Sequence, residues 1–393
     1  MPSPFAPLWT LDPEVDFLNH GSFGACPRAV LDAQAGQRAR MARQPVRFFR
    51  ELEGPLDVAR HALADFLSAD GDDLAFVPNA TTGVNTVVRS LELESGDELL
   101  TTDHAYNACR NTLRWHEQRG VRVVTARVPW PLEGPHQVID AVLSAVTPRT
   151  RLALIDHVTS PTGLVFPVQE LVRRLAERGV DTLVDGAHAP GMLPLDLRAL
   201  GAAYYTGNCH KWLCAPKGSA FLHVRRDKQA SVRPLAHGHG LNSARTDRSP
   251  FRLQMDWVAT SDPTPYLCVP EALRFLGALL PGGFPELMEQ NHALALAGRA
   301  ALCKRLSVPA PAPDFMLGSL AAVPLPDFVG KPPAPSGLSW HPLQRALLEK
   351  HGIEVPVFFF PHAPRQLLRI AAQAYNSLEQ FERLATALAA ELG

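Results

Sequence analysis

Between Asn79 and Val224 the chain alternates short apolar runs with amphipathic stretches, and this alternation restricts the fold more than any single residue does. Leu99–Thr102, Val121–Val128, Leu152–Asp156, Thr182–Asp185, Ala203–Thr206 and Ala220–Val224 are apolar or β-branched runs, as strands buried on both faces are. Helical stripes lie between them. After Thr81-Thr82-Gly83, residues Val84, Val87, Val88 and Leu91 share one face. A second stripe begins at Pro167, turns Val168, Leu171, Val172 and Leu175 inward, and stops at Gly179. The repeated strand–helix–strand order predicts an α/β fold, with a mostly parallel sheet covered by helices on both faces.

The flanks read differently. Prolines at 2, 4, 7 and 13 disfavour helix and predict an extended N-terminal arm over residues 1–20. Glu271–Leu280 suggests a helix leading out of a large domain, 21–270, into a smaller α+β one, 271–393. Residues 308–337 are proline-rich and without period, which predicts loop or edge strand. Ser377 and Gln380 form a capping box before a final helix with Leu378, Phe381, Leu384, Ala385 and Leu388 on its apolar face.

Composition narrows the function. Thirty-eight Lys and Arg nearly cancel thirty-nine Asp and Glu, which removes the electrostatic case for nucleic acid or an anionic membrane. Pro45-Val46-Arg47-Phe48-Phe49-Arg50 mixes arginine with aromatics but is too short to restore it. No apolar run reaches a membrane span, and no secretory signal is visible, so a cytoplasmic protein is expected. The six cysteines show no CxxC spacing and read as reduced thiols. His237-Gly238-His239 has no partner cluster at ligand spacing, so no metal is expected.

The chemistry concentrates at strand ends. Asp185 closes the run Thr182-Leu183-Val184, and Lys211 follows the next strand, in Asn-Cys-His-Lys-Trp. Ligands of open α/β sheets bind at the carboxyl ends of strands. A lysine there can form a Schiff base with an aldehyde cofactor, while a carboxylate keeps a pyridine nitrogen protonated. Alone, the two residues could equally be surface groups that never meet. Asn79-Ala80-Thr81-Thr82-Gly83 opens a helix whose N–H groups and hydroxyls can hold a phosphate, or merely cap it. His104 follows another strand, able to stack on a planar ring or move a proton.

Five segments carry a resemblance: Phe-Leu-Asn-His-Gly-Ser-Phe-Gly (17–24), Asn-Ala-Thr-Thr-Gly (79–83), Val-Asp-Gly-Ala-His-Ala-Pro-Gly (184–191), Gly-Asn-Cys-His-Lys-Trp (207–212) and Leu-Leu-Arg-Ile-Ala-Ala-Gln-Ala-Tyr-Asn (367–376). In that order they resemble the fold-type I pyridoxal-phosphate enzymes of the class V aminotransferase group, most closely the isopenicillin N epimerase-like branch. The resemblance implies a seven-stranded, mostly parallel sheet and pyridoxal 5'-phosphate as cofactor. It assigns Lys211 to the Schiff base and proton shuttle, Asp185 to the ring nitrogen, His188 to the phenolic oxygen and His104 to stacking. Thr81, Thr82, Asn208 and His210 match phosphate-holding positions, with Asn208 standing where cysteine desulfurases commonly have serine. Ser160 is expected at the cofactor, and Thr260 at the phosphate of a neighbouring subunit, which implies a homodimer with shared active sites. Arg369 matches the clamp for a substrate α-carboxylate, with Asn19 and His20 beside it.

The partner expected is therefore a small-molecule amino-acid substrate. Cysteine desulfurases carry a cysteine shortly before the carboxylate arginine, and this chain has none between Cys303 and Arg369, which argues against that activity. A β-eliminating carbon–sulfur lyase is favoured, with Tyr106 as the acid for the leaving group. Epimerisation, with His104 or Tyr106 opposite Lys211, comes next, then oxidative decarboxylation or cyclisation, or transamination.

Overall fold

Apolar strands too short to stand alone are stable only when paired on both sides, and the computed structural model, which describes residues 3–330, 332 and 340–393, resolves how they pair. In chain order the strands are β1 (Asp16–Phe17), β2 (Leu74–Val77), β3 (Glu98–Thr102), β4 (Arg122–Ala126), β5 (Thr150–Asp156), β6 (Asp181–Asp185), β7 (Tyr204–Asn208), β8 (Ala220–Val224), β9 (Leu320–Leu325), β10 (Ile353–Glu354), β11 (Val357–Phe359) and β12 (Gln366–Ala371). Seven of them form one sheet in the order β2-β8-β7-β6-β5-β3-β4. Only β8 runs against its neighbours. The expected parallel α/β sheet of seven strands is thus observed. Strands β3, β7 and β8 are buried at every residue, whereas edge strand β4 is half-exposed.

The expected strands lie within one or two residues of the observed ones, but β2 is a strand the alternation did not reveal. Its four residues stop at Pro78, too few to show a period, and pairing with β8 makes them a strand. The stripes are the helices Ala80–Ser90 and Val168–Ala176, the latter followed by Gly179 at φ 73°. Leu91 stands just beyond the first helix.

A second, antiparallel sheet has the order β11-β12-β9, with Arg369 on its central strand opposite Ala322. Within the proline-rich stretch, β9 is the edge strand, where Pro324 costs no ladder donor that a second neighbour would need. Residues 331 and 333–337 of that stretch lie outside the described residues. The helices Gly283–Leu306 and Leu378–Leu392 pack on each other and on this sheet. The capping box at Ser377 and Gln380 is present, and Phe381, Leu384, Ala385 and Leu388 are buried. Leu378 instead lies at the surface, 38% exposed, because the first turn overhangs the core. The helix expected over Glu271–Leu280 runs from Val269 to Gly277.

The N-terminal arm contains one 3-10 turn, Ala6–Leu8, and then pairs β1 in parallel with β10. Asp16 receives Arg383 from the final helix, and Trp9 packs edge-on against Phe275 and Tyr375. These contacts support the proposed division into an arm (1–20) that packs on a C-terminal unit (271–393) and a larger unit (21–270).

The arm then passes directly under the lysine of interest. Gly24 has φ 71°, and a Cβ there would lie 2.2 Å from the His210 carbonyl oxygen and 3.0 Å from Lys211 Cα. Neither backbone can yield without moving Lys211. Gly24→Ala should therefore lower stability by about 1–3 kcal/mol, read as a drop of several degrees in thermal melting. An unchanged melting temperature would contradict this placement.

Candidate active site

Parallel strands β3, β5, β6 and β7 end on one side of the sheet, so the residues that follow them share one crevice. Asp185 ends β6 and is 3% exposed. Its Oδ1 accepts the Ala187 N–H at 3.0 Å, and its Oδ2 accepts the Cys109 thiol at 3.2 Å from the helix Asn107–Arg114. Burial raises the carboxyl above its ordinary value, while the thiol, the N–H and Lys211 oppose that rise.

Lys211 follows β7. Burial, and next the Arg369 charge, lower its amine to about 7, so it is largely neutral just above that pH. Its Nζ lies 3.2 Å from His188 Nε2. The Trp212 indole N–H reaches His188 Nδ1 at 3.4 Å. An indole can only donate, so Nδ1 accepts and the ring proton sits on Nε2, facing the amine. Burial keeps His188 neutral.

His20 was expected at the substrate, and the structure corrects this. It is fully buried, with Nε2 donating to the Lys211 carbonyl oxygen (3.0 Å) and Nδ1 accepting the Tyr375 hydroxyl (2.8 Å). Neither nitrogen is open; the imidazole instead fixes the lysine's backbone. Asn19 also acts at one remove. Its amide donates to Glu354, and its carbonyl oxygen accepts the Ser22 hydroxyl.

Arg369 is 1% exposed. Nη1 donates to the Ser160 carbonyl oxygen and lies 3.3 Å from Ser160 Oγ; Nη2 lies 3.2 Å from Ser22 Oγ. Its guanidinium stands 5.1 Å from the Phe358 ring, and Nε has no partner among the described residues. A buried cation with a spare donor and no carboxylate partner suits an incoming carboxylate. Ser160 thus meets Arg369 directly.

At the other end Thr82 spends both N–H and hydroxyl on the capping Asn79 oxygen (2.8 and 3.0 Å). Thr81 lies beside the Cys109 thiol. Asn208 accepts the Ala80 N–H at 2.8 Å, which leaves its amide NH2 to face outward. His210 donates Nδ1–H to the Ser219 carbonyl oxygen (2.8 Å), and burial lowers it to about 4. Only a bound anion would charge its free Nε2. Gly83 lets the helix start sit on β7: a Cβ would lie 2.2 Å from Thr206 Oγ1. Thr260 is exposed, in a segment where Val258, Ala259 and Ser261 line a cavity of about 230 Å3 with Thr82 and Thr86.

His104 is the second correction. It is fully buried, caged by Trp130, Phe166 and Phe360, with Nδ1 against Thr162 Oγ1 (2.9 Å) and Nε2 against the Val128 carbonyl oxygen (3.2 Å). Burial lowers it to about 4. Its ring meets the aromatic side chains edge-on or tilted and offers the crevice no nitrogen. Tyr106, two residues on and 48% exposed, does face the crevice, since its phenol feels the charges of Cys109, Asp185 and Arg369. Sequence reading missed Trp212, Tyr375, Ser22 and Cys109. The first three lie inside the quoted motifs; Cys109 carried no signal.

Comparison with known proteins identifies the family and the fold. The family profile "Aminotransferase class-V" matches residues 25–254. The chain is 38% identical to an isopenicillin N epimerase of Amycolatopsis lactamdurans, over 96% of each protein. It is 31% identical to a probable chloroplastic L-cysteine desulfhydrase of Arabidopsis thaliana, over 96% of this chain and 83% of the relative. A solved mutant of C-DES, with glycine covalently linked to its PLP cofactor, has the same fold at TM-score 0.78 and 22% identity, covering 97% of each chain.

Pyridoxal 5'-phosphate fits the residues present. A neutral buried amine, a supported carboxylate and an open amide at a helix start stand along one crevice. Capture of that aldehyde by cofactor-free protein should speed up as pH rises through about 7, where Lys211 loses its proton, and be flat above. Stopped-flow absorbance reads the rate; an increase continuing toward the ordinary lysine value of 10.5 would refute a depressed amine.

Proposed function

The chain belongs to the class-V aminotransferase family of pyridoxal-phosphate enzymes, and from that premise we propose that it is a β-eliminating lyase that cleaves a carbon–sulfur bond of an amino-acid substrate. When bound, the cofactor supplies an electron sink for charge developing at the substrate α-carbon. Arg369, steadied by Ser22 and Ser160, holds the carboxylate. Lys211 Nζ takes the α-proton, and Asp185 holds the proton on the ring nitrogen. His188 points its Nε2–H at Lys211 Nζ. As the β carbon–sulfur bond breaks, its electron pair leaves on sulfur, and Tyr106 gives the sulfur a proton that solvent restores.

The observation that carries this reading is Tyr106. Burial raises its phenol above 10, with the Asp185 charge adding to the rise, so it remains a proton donor across the working range. Epimerisation in both directions needs a second group that also accepts protons, and His104 is walled off. An amino-acid epimerase is the second reading, favoured by relatives named isopenicillin N epimerase at 38% and 35% identity. Against persulfide chemistry stand the six cysteines, all buried. A homodimer belongs to the proposal, supported by exposed Thr260. Among the described residues no helix is long and apolar enough to cross a membrane.

With L-cysteine or a cysteine conjugate as substrate, Tyr106→Phe should cut keto-acid release by about 10²-fold while the bound cofactor's absorbance stays unchanged. Full activity in that variant would remove Tyr106 as the acid and the proposal's main support. Arg369→Ala should raise KM by at least about tenfold, from loss of a charge-assisted pair. An unaltered KM would exclude it as the carboxylate clamp.

A further inference from the structure

Beside Asp185 stands a second acid that the reaction does not use. Asp156 ends β5 directly opposite Asp185 in the parallel register, so both side chains leave the same face from backbones about 4.8 Å apart. Asp156 is 3% exposed, and its Oδ2 has no partner among the described residues. The two acids are unequally supplied. Asp185 has the Cys109 thiol, the Ala187 N–H and the Lys211 charge. Asp156 is faced by Asp185 from β6, by the Tyr106 N–H, and by the charge of half-buried Arg110 and the Cys109 thiol from the helix Asn107–Arg114.

Two carboxylates this close and this dry do not both ionise, and the less supplied one keeps the proton. Burial first, then the Asp185 charge, push Asp156 well above the usual carboxylate range. A protonated carboxyl has one hydrogen to give, and Asp185, its partner across the ladder, has lone pairs to accept it.

We propose that Asp156 and Cys109 are positioning residues for Asp185: a neutral acid on one side and a thiol on the other hold its carboxylate in one orientation, ionised and aimed at the cofactor's ring nitrogen. The inference rests on Asp185 as the ring-nitrogen partner. Proton sharing within the group makes Asp185 the one ionised carboxylate of the pair. Cys109 is then no reserve nucleophile: burial and the Asp185 and Asp156 charges hold its thiol protonated, well above 9.

The test has two parts. Infrared difference spectra of cofactor-free protein at neutral pH, wild type minus Asp156→Asn, should contain a protonated-carboxyl carbonyl band. Its absence would overturn the proposal whether or not cofactor binds. In the loaded enzyme, the pH transition of the cofactor's visible absorbance reads the Asp185 environment. Asp156→Asn keeps the neutral donor and should leave the transition within about half a unit, while Asp156→Ala should move it by about one unit or more. Cys109→Ser should likewise match wild type and Cys109→Ala should not. Equal shifts from Asn and Ala would mean Asp156 is ionised and would refute the reading. Failure to bind cofactor in wild type would instead strike the underlying assignment, and the infrared result would still decide the proton.

Discussion

Asp185 and Lys211 carry opposite charges into one poorly solvated crevice, and the groups around them answer the cost of burying them. An amine or carboxylate stripped of solvent prefers its neutral form. For Lys211 that preference is useful, since only the neutral amine attacks an aldehyde or accepts a proton. For Asp185 it must be opposed, because only the ionised form can hold a ring nitrogen's proton. The thiol of Cys109 and the N–H of Ala187 oppose it. One crevice thus lowers the amine freely while hydrogen bonds limit the rise of the carboxyl.

Geometry comes from distant parts of the chain. The sheet supplies the strand ends, but Lys211 is held from below by His20, which the arm delivers and Tyr375 orients from the C-terminal region. Arg369 arrives on the central strand of the second sheet and meets Ser22 of the arm and Ser160 after β5. Arm pairing through β1 and β10 is therefore part of the active-site assembly. Loss of that pairing would loosen Lys211 and Arg369 together.

Much of this was legible before any coordinates. Buried parallel strands read as unbroken apolar runs, so six of the seven strands stood out; β2 did not, because four residues before a proline carry no period. Lys211, Asp185 and Arg369 were legible because their motifs are spread along the chain in a known order. Roles were harder. His20 sits in a motif and His104 just after a strand, yet what an imidazole does depends on whether its nitrogens are already bonded, and only packing decides that. Cys109 and Asp156 come beside Asp185 only through the fold, a proximity that no local spacing encodes.

The proposed lyase chemistry requires Lys211 as a base and Tyr106 as a protonated acid in one crevice. Proton NMR of the enzyme with L-cysteine in heavy water, with ammonia and keto acid followed in the same sample, tests that most directly. The account predicts keto acid and ammonia accumulating together with sulfide, and no build-up of the D-amino acid. Exchange of the α-proton with inversion, and no ammonia, would contradict it and make the protein an epimerase.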